Sequence, residues 1–440
     1  MSNSFYTRIM DYRIFPPTGL VEAQIRMPLS KSESARALII RALTPDAPMP
    51  GPELADCDDT RALQAALASD SDTIDIGAAG TAMRFITAYM AAQPGRKVTV
   101  DGSERMRERP IGVLVDALRR LGADIEYLGE EGFPPLHITG CRLHGGTVNV
   151  DASISSQYIS ALMMIAPLME TGLVIELDGR VSSAPYITLT AAMMSRAGID
   201  IEVMPMSVRI APGVYEPTVF RIGGDWSAAS YWYEIEALTS GFITLEGLDE
   251  ESVQGDHSVV DLFRQLGVVT EPSEETPGAL DLCGSPDPSP RLIYDFSQTP
   301  DLAQTAAVTC TMTGIPFRFS GLESLHIKET DRVAAIATEL LKIGVSVDTE
   351  TSGVMEWDGR RHPIREVPAF DTYADHRMAM SLAPVSCYIP GIIIRNAEVV
   401  AKSYPDFFRH LTDAGFLVVD ALTPAEEIEE MLIRRENEEE

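Results

Sequence analysis

The stretch VDALRRLGADI, residues 115–125, joins an amphipathic helix, a glycine and the start of a strand. Gly122 follows the last apolar residue of the helical pattern, and a glycine at that place is typical of a left-handed helix cap. The order of helix, glycine and strand returns at intervals of roughly 70 residues, which indicates an internal repeat. The further copies are Thr190–Gly198, Val259–Gly267, Ala335–Gly344, Phe407–Gly415 and, in a weaker form, Thr60–Leu67.

Six other segments are apolar on most faces and begin with a small, hydroxyl-bearing or acidic residue. They are Ser30–Leu43, Gly80–Ala92, Ser155–Leu168, Ser227–Leu238, Thr299–Thr313 and Asp375–Cys387. A helix that is apolar all round is buried, so the pattern predicts six core helices. Together with the amphipathic helices they give six α/β units, which symmetry divides into three for each of two domains. Each domain is then a ring of helices walled by sheet.

The alternation of strands and helices is also compatible with a single doubly wound parallel sheet. The chain contains neither G-x-G-x-x-G nor G-x-x-x-x-G-K-[ST]. These are the loops that hold dinucleotides and nucleoside triphosphates. The sequence therefore argues against a dinucleotide-binding or P-loop enzyme.

The composition indicates a large acidic protein without a metal or disulfide framework. The chain has 440 residues, a formal net charge of −30 and five widely spaced cysteines. Its length favours two domains, and its charge argues against nucleic acid and anionic membranes as partners. The cysteines form no C-x-x-C pair, so we expect neither a zinc site nor disulfides. Without a secretory signal or a long apolar run, the sequence predicts a cytoplasmic protein.

Charged and other polar residues, together with Gly80, gather at the starts of the apolar helices. They are Lys31, Ser32, Arg36, Gly80, Thr81, Arg84, Ser155, Ser156, Gln157, Asp301, Asp375, His376 and Arg377. A helix start offers unpaired N–H groups and a partial positive charge, which suit phosphate and carboxylate. Ordinary capping explains a single Ser, Thr or Asp. It does not explain the lysine and the arginines, so the set predicts sites for anionic ligands.

Three short segments outside these helices are also densely charged. They are Ile327–Arg332, Arg105–Pro110 and Lys402–Asp406. In the first, Glu329 lies between Lys328 and Arg332, and a carboxylate beside cations is suited to moving a proton. A solvated turn is the ordinary explanation of Arg105–Pro110. The charge pattern therefore does not decide whether its arginines bind a ligand.

Together these segments resemble the 5-enolpyruvylshikimate-3-phosphate (EPSP) synthase family of enolpyruvyl transferases over nearly the whole chain. The strongest matches are Lys31-Ser32, Gly80–Arg84, Arg105–Pro110, Ser155–Gln157, Lys328–Arg332, Asp375–Met378 and Lys402–Asp406. The resemblance implies an α/β fold of the inside-out α/β barrel type, with two similar globular domains of three β-α-β-α-β-β units each. The implied domains are 30–224, and 1–29 with 225–440.

The resemblance also implies a reaction. The enolpyruvyl group of phosphoenolpyruvate is transferred to the 5-hydroxyl of shikimate 3-phosphate, with release of phosphate, in the shikimate pathway to chorismate and aromatic amino acids. No metal or other cofactor is implied. The two small-molecule substrates are the only implied partners, and we expect a monomer.

By resemblance, the catalytic residues are Lys31, Asp301 and Glu329. Asp301 would take the proton of the 5-hydroxyl, while Glu329 would deliver and later remove the proton at C3 of phosphoenolpyruvate. Shikimate 3-phosphate would contact Lys31, Ser32, Arg36, Ser155, Ser156, Gln157, Ser183, Tyr186, Asp301, Ser324 and Lys328. Phosphoenolpyruvate would contact Lys31, Gly80, Thr81, Arg84, Arg109, Gln157, Arg332, His376, Arg377 and Lys402.

The chain departs from the family pattern near these motifs. Ala35, Ala78 and Ser324 stand where the family commonly has asparagine, and Glu33 brings a carboxylate that we expect beside an anion site. Two other functions stay open. One is the related transferase acting on UDP-N-acetylglucosamine, although Arg105–Arg109 lacks the loop cysteine that this enzyme normally uses. The other is a catalytically silent anion-binding protein of the same fold.

Overall fold

The computed structural model describes residues 10–47, 51–285 and 287–439. Its buried apolar side chains form two separate cores. One core contains residues between Ala35 and Ile222. The other joins residues 14–27 to residues 226–416. The chain therefore passes between the cores twice, and we call residues 30–224 the continuous half and residues 10–29 with 225–439 the split half.

The first two strands belong to the split half and are β1 (Tyr12–Phe15) and β2 (Glu22–Arg26). The described residues of the continuous half then form seven α-helices: α1 (Lys31–Leu43), α2 (Asp58–Ala68), α3 (Gly80–Ala91), α4 (Glu104–Arg107), α5 (Gly112–Arg120), α6 (Ser156–Ile165) and α7 (Ala184–Arg196). Its strands are β3 (Thr73–Asp75), β4 (Lys97–Asp101), β5 (Asp124–Tyr127), β6 (Leu136–Thr139), β7 (Gly146–Asp151), β8 (Leu173–Asp178), β9 (Ile201–Met204) and β10 (Ser207–Ile210). A 3-10 turn at Ala166–Leu168 extends α6.

The rest of the split half repeats this alternation. Its α-helices are α8 (Trp226–Thr239), α9 (Val259–Arg264), α10 (Ala303–Thr313), α11 (Arg332–Leu341), α12 (His376–Leu382), α13 (Phe407–Asp413) and α14 (Ala425–Glu439). Its strands are β11 (Phe242–Glu246), β12 (Val268–Pro272), β13 (Ala279–Gly284), β14 (Leu292–Asp295), β15 (Phe317–Ser320), β16 (Met355–Trp357), β17 (Ala369–Phe370), β18 (Ile392–Ile394) and β19 (Leu417–Asp420). Short 3-10 segments lie at Gly255–Ser258, Pro300–Leu302, Glu323–Ile327, Ala383–Cys387 and Ala397–Lys402.

The described strands form five small mixed sheets rather than one large parallel sheet. Their strand orders are β3-β4-β6-β5, β7-β8-β10-β9, β12-β13-β11-β2, β14-β15-β16 and β17-β18-β1-β19. Each sheet contains one parallel pair, and its remaining pairs are antiparallel. The doubly wound alternative is therefore wrong, and the repeated unit explains why the same mixed pairing recurs.

The helix-and-glycine repeat of the sequence is confirmed. The glycines that follow α5, α7, α9, α11 and α13 all have positive φ; they are Gly122, Gly198, Gly267, Gly344 and Gly415. The strand expected after Gly344 is absent, since Val345 and Asp348 form only isolated bridges to Arg361 and Glu356. The number of residues between the two bridges differs between the two paired segments of chain. Such a bulge interrupts the ladder of hydrogen bonds between strands. The first unit also departs from the pattern, because the described part of residues 30–72 contains no strand.

The two crossings between the halves lie side by side. Leu29 and Gly224 form an antiparallel bridge. The Glu33 carboxylate accepts hydrogen bonds from the Gly223 N–H at 3.1 Å and from Gln254 Nε2 at 2.9 Å. Glu33, which we expected beside an anion site, faces the crossover, where its carboxylate joins the start of α1 to the returning chain through these hydrogen bonds.

Two carboxyl groups are buried in the core of the split half. Glu234 and Glu236, both on α8, are 0% exposed, and neither carboxyl has a hydrogen-bond partner among the described residues. Burial raises the pKa of Glu234 well above its usual range and that of Glu236 to about 7. The folded state therefore binds protons that the unfolded chain has already lost at neutral pH. Part of the stability is present at low pH and is lost as the pH rises.

We predict that Glu234→Gln makes stability less dependent on pH. The free energy of unfolding of the wild type should fall between pH 5 and pH 8, and that of the variant should fall less. The difference between the two proteins should be about 1.4 kcal/mol for each pH unit over which Glu234 of the folded wild type stays neutral. Urea unfolding of both proteins at the two pH values measures the difference. Glu126→Gln, on the exposed side of β5, is the control. An unchanged pH dependence in Glu234→Gln would contradict the prediction.

Candidate active site

A cavity lies between the two halves, at the starts of several core helices. Its volume is about 1000 Å³, including space open to solvent. Apart from Arg84 and Lys402, every residue predicted to bind ligand or to act as a catalyst lines it. These residues are Lys31, Ser32, Arg36, Gly80, Thr81, Arg109, Ser155, Ser156, Gln157, Ser183, Tyr186, Asp301, Ser324, Lys328, Glu329, Arg332, His376 and Arg377.

Helix capping aims several of these side chains into the cavity. The Ser155 hydroxyl accepts a hydrogen bond from the Gln157 N–H at 3.3 Å and begins α6. Asp375 begins α12 by accepting from the Arg377 N–H at 2.9 Å. A capped first turn has a fixed direction. Gln157 and Arg377, which follow these caps, line the same cavity.

Arg332 is the charged centre of the site. Its side chain is 2% exposed, and its guanidinium contacts three carboxylates. Asp375 accepts from Nε at 2.6 Å, Asp301 from one terminal nitrogen at 2.9 Å and Glu329 from the other at 3.0 Å. Paired hydrogen bonds between a guanidinium and carboxylates fix geometry as well as charge. Arg332 therefore sets the positions of two predicted catalytic carboxylates.

Asp301 is surrounded by cations. Arg377 donates to it at 2.8 Å, and the Lys328 ammonium lies 3.7 Å away. Burial alone would raise the pKa of Asp301, but Arg377, Lys328 and Arg332 together lower it well below its usual range. Asp301 is therefore ionised and is a weak base in this arrangement.

Glu329 lies where both halves contribute cations. Lys402 Nζ is 3.1 Å from its carboxylate, and an Arg109 terminal nitrogen is 3.6 Å away. Burial raises the pKa of Glu329, yet Lys402, Arg109 and Arg332 outweigh it and hold that pKa well below its usual range. A second anion that bound these cations would loosen their hold on Glu329 and raise its pKa.

Lys31 contacts a carboxylate that the sequence analysis did not single out. Its Nζ lies 3.1 Å from Asp59 Oδ2, and Asp59 is 8% exposed. Burial lowers the pKa of Lys31, but Asp59, Cys57 and Glu329 together raise it by more, so the net shift is upward. Asp59 is the second residue of α2, where an acidic side chain is commonplace, so its sequence context gave no signal.

His376 lies deep in the site. It is 1% exposed, and within the described structure neither ring nitrogen has a hydrogen-bond partner. Burial and the neighbouring Lys31 and Arg377 lower the pKa of His376 well below its usual value. The ring is therefore neutral and can donate one hydrogen bond and accept another. Ser324 also has a buried hydroxyl without a partner among the described residues.

Arg36 is held against the wall of the continuous half. It donates to Thr190 at 2.7 Å, to Ser160 at 3.1 Å and to the Ser32 carbonyl at 2.8 Å. Its guanidinium also lies 5.7 Å from the Tyr186 ring centroid. These contacts fix a permanent cation at this wall of the cavity.

The two predicted ligands outside the cavity lining have other partners. Arg84 donates to the carbonyls of Pro110, at 2.7 Å, and Gly80, at 3.2 Å. It thus fixes the segment that carries Arg109. Lys402 reaches from the split half to the Ala78 carbonyl at 2.7 Å, so it contacts both halves as well as Glu329.

Other contacts join the halves around the cavity. Arg105 donates to the carbonyls of Glu329 at 3.0 Å and Lys328 at 3.1 Å. In another contact between the halves, the Ala184 N–H donates to the Gln298 side-chain oxygen at 3.0 Å. The cavity is therefore enclosed by residues of both halves, and its geometry depends on their approach.

The arrangement suits chemistry on anions. Several buried cations face the cavity, and two carboxylates held by Arg332 lie among them, which provides both charge stabilisation and groups for proton transfer. Among the described residues, no group of three or more His, Cys, Asp or Glu could hold a metal. No helix in the described part of the chain is long and apolar enough to cross a membrane.

Comparisons with known proteins agree with one another. The model of the family EPSP synthase (3-phosphoshikimate 1-carboxyvinyltransferase) matches residues 53–411. A 3-phosphoshikimate 1-carboxyvinyltransferase of Bacteroides fragilis is 45% identical over 92% of this chain and 98% of its own length. One from Vibrio atlanticus is 34% identical over 91% of this chain and 99% of its own.

Solved structures show the same fold. An EPSP synthase from Acinetobacter baumannii has a TM-score of 0.72 at 21% identity, covering 93% of this chain and 100% of that one. The enolpyruvyl transferase NikO from Streptomyces tendae also has a TM-score of 0.72, at 15% identity, covering 94% of this chain and 100% of its own. With the family match and the curated relatives, the conclusion is that this chain belongs to the EPSP synthase (3-phosphoshikimate 1-carboxyvinyltransferase) family.

Proposed function

We propose that the cavity transfers the enolpyruvyl group of phosphoenolpyruvate to the 5-hydroxyl of shikimate 3-phosphate and releases phosphate. The chain is an enzyme of a family with this activity. The observation that carries the proposal is Arg332, which holds Glu329 and Asp301 at one end of a cation-lined cavity. Two anionic substrates and two proton-transfer groups are what the reaction requires.

Glu329 delivers a proton to C3 of phosphoenolpyruvate and later removes one. Asp301 accepts a hydrogen bond from the 5-hydroxyl of shikimate 3-phosphate, and Lys31 contacts both substrates. The low pKa of Glu329 in the ion-paired arrangement is compatible with this role, because Lys402 and Arg109 are also proposed ligands of phosphoenolpyruvate. Once they bind its phosphate and carboxylate, Glu329 loses their stabilisation and becomes a stronger base.

The two substrates divide the cavity between them. Phosphoenolpyruvate is bound mainly by Arg109, Arg332, Arg377 and Lys402, with His376 and the backbone at Gly80 and Thr81 beside it. Shikimate 3-phosphate is bound by Ser32, Arg36, Ser155, Ser156, Gln157, Ser183, Tyr186, Ser324 and Lys328. Except for Lys402, which contacts Glu329, these residues line one cavity, and this supports the binding of both substrates there. Arg84, with its guanidinium on Pro110 and Gly80 carbonyls, supports Arg109 rather than touching ligand.

The chain is organised in two domains in this proposal. The two cores support domains at 30–224, and at 1–29 with 225–440. Both domains contribute to the cavity, so a single chain supplies a complete site, and we propose that a cytoplasmic monomer is active. The curated relatives favour shikimate 3-phosphate over UDP-N-acetylglucosamine as the acceptor. They also favour an active enzyme over a silent binding protein.

The first test is phosphate release from shikimate 3-phosphate and phosphoenolpyruvate. We expect the wild type to release phosphate only when both substrates are present. Glu329→Gln should bind both substrates but turn over about 10²–10⁴-fold more slowly, the usual loss when an acid–base group is removed. Phosphoenolpyruvate should bind the variant at least as tightly, because Lys402 and Arg109 lose a competing anion. Near-normal turnover in Glu329→Gln would remove this residue from the mechanism.

A second test examines how the substrates share the cavity. Arg377→Ala should raise the KM for phosphoenolpyruvate and leave binding of shikimate 3-phosphate nearly intact, at a cost of about 2–5 kcal/mol for a broken buried charge pair. Gln157→Ala should weaken shikimate 3-phosphate more than phosphoenolpyruvate, by about 1 kcal/mol, because neutral hydrogen bonds are lost. Titration calorimetry and both KM values measure these effects.

The control for this test is Arg209→Ala, which removes an arginine whose side chain is 63% exposed on β10. It should leave both KM values unchanged. Loss of shikimate 3-phosphate binding in a folded Arg377→Ala protein would contradict the proposed division.

A further inference from the structure

A buried carboxyl group lies directly behind the cavity wall. Asp256, in the 3-10 segment Gly255–Ser258, is 3% exposed. Its Oδ2 accepts a hydrogen bond from the hydroxyl of Ser227, and Ser227 lines the cavity. Its other oxygen has no hydrogen-bond partner among the described residues. One hydroxyl group therefore connects the cavity with a carboxyl that can hold a proton on either oxygen.

The groups that face Asp256 come from four other parts of the chain. Tyr186 belongs to α7, Asp301 to the 3-10 segment Pro300–Leu302, Arg377 to α12, and Asp225 caps α8. Gly255 also lies against Pro185, so the segment is packed onto the start of α7. In the described structure Asp256 forms no ion pair within 4.0 Å, whereas Asp301 has three.

The two carboxyl groups consequently differ as proton acceptors. Burial and the nearby Asp301 raise the pKa of Asp256 to about 6, although Arg377 and the Ser227 hydroxyl partly oppose the shift. Asp301 has a pKa well below its usual range, because its cations outweigh its burial. A proton released near both groups is bound more tightly by Asp256.

We propose that Ser227 and Asp256 form a proton relay, in which Asp256 takes up, through the Ser227 hydroxyl, the proton that the acceptor substrate's hydroxyl loses. This inference rests on the proposed function and refines it. Asp301 accepts the hydrogen bond that orients the substrate hydroxyl, and Asp256 keeps the proton.

The proton balance of the reaction is compatible with this assignment. As the 5-oxygen bonds to C2 of phosphoenolpyruvate, its proton passes to Ser227 Oγ while the Ser227 proton passes to Asp256 Oδ2. Glu329 takes up a proton once the bound substrates draw Lys402 and Arg109 away and raise its pKa. It supplies this proton to C3 and recovers it when the C2–O bond to phosphate breaks. The proton stored on Asp256 then leaves through Ser227 and is carried away on the released phosphate. Each group ends in the state in which it began.

The test compares three variants over pH 5–9. Asp256→Asn keeps the shape of the side chain but cannot take up the proton. Ser227→Ala breaks the connection while leaving Asp256 in place, and Ser227→Thr restores a hydroxyl. The control is Ser258→Ala, which removes a buried hydroxyl of the 3-10 segment that contains Asp256; Ser258 does not line the cavity.

We expect wild-type kcat to fall as the pH drops below about 6, because protonated Asp256 accepts no further proton. Asp256→Asn and Ser227→Ala should each lower kcat by about 10²-fold, remove that acid limb and change either KM little. Ser227→Thr should recover most of kcat, and Ser258→Ala should resemble the wild type. Carbon-13 NMR of labelled aspartate should show a carboxyl titrating near pH 6 that is missing in Asp256→Asn.

Three results would overturn the relay. One is full kcat in Asp256→Asn, and a second is an unchanged acid limb in either variant with reduced kcat. The third is the absence of an Asp256 titration near pH 6. If the wild type itself fails to convert the two substrates, the proposed function fails, while the NMR titration still decides whether Asp256 binds a proton there. If Asp256→Asn fails to fold, Ser227→Ala and Ser227→Thr decide the question.

Discussion

The site depends on burying one guanidinium among three carboxylates. Arg332 is 2% exposed and contacts Asp375, Asp301 and Glu329. Removing such a charge from water is costly unless its partners are well placed, so the network holds its members in fixed positions. Asp375 also caps α12, and through that cap the same network directs Arg377 into the cavity.

The network also explains why the halves of the chain must meet. Glu329 belongs to the split half, and its cationic neighbour Arg109 belongs to the continuous half. Lys402 completes the pair of cations and also reaches the Ala78 carbonyl of the continuous half. At the crossover, the Glu33 carboxylate also holds the two halves together, because it accepts hydrogen bonds from Gly223 and Gln254. The acid–base group and its charge environment are therefore assembled together.

Local patterns predicted most of the fold, because helix periodicity and glycine caps depend on neighbours in the chain. The failures involve contacts between distant residues. Glu33 follows Ser32 of a predicted anion site, but its hydrogen bonds to Gly223 and Gln254 at the crossover had no sequence signal. Asp59, in the first turn of α2, resembled an ordinary helix-start residue until the fold placed it beside Lys31. Ser227 and Asp256 are 29 residues apart, and neither belongs to a charged motif, so their hydrogen bond had no sequence signal.

We propose that substrate anions replace Glu329 as the partner of Lys402 and Arg109. A crystal structure with shikimate 3-phosphate and inorganic phosphate, a pair that does not react, would show whether this exchange of partners occurs. Lys402 Nζ and the Arg109 guanidinium are 3.1 and 3.6 Å from Glu329. We predict that both turn to the bound phosphate and that these separations lengthen, leaving the Glu329 carboxylate free beside the ligand. Unchanged ion pairs, with phosphate bound elsewhere in the cavity, would contradict the account.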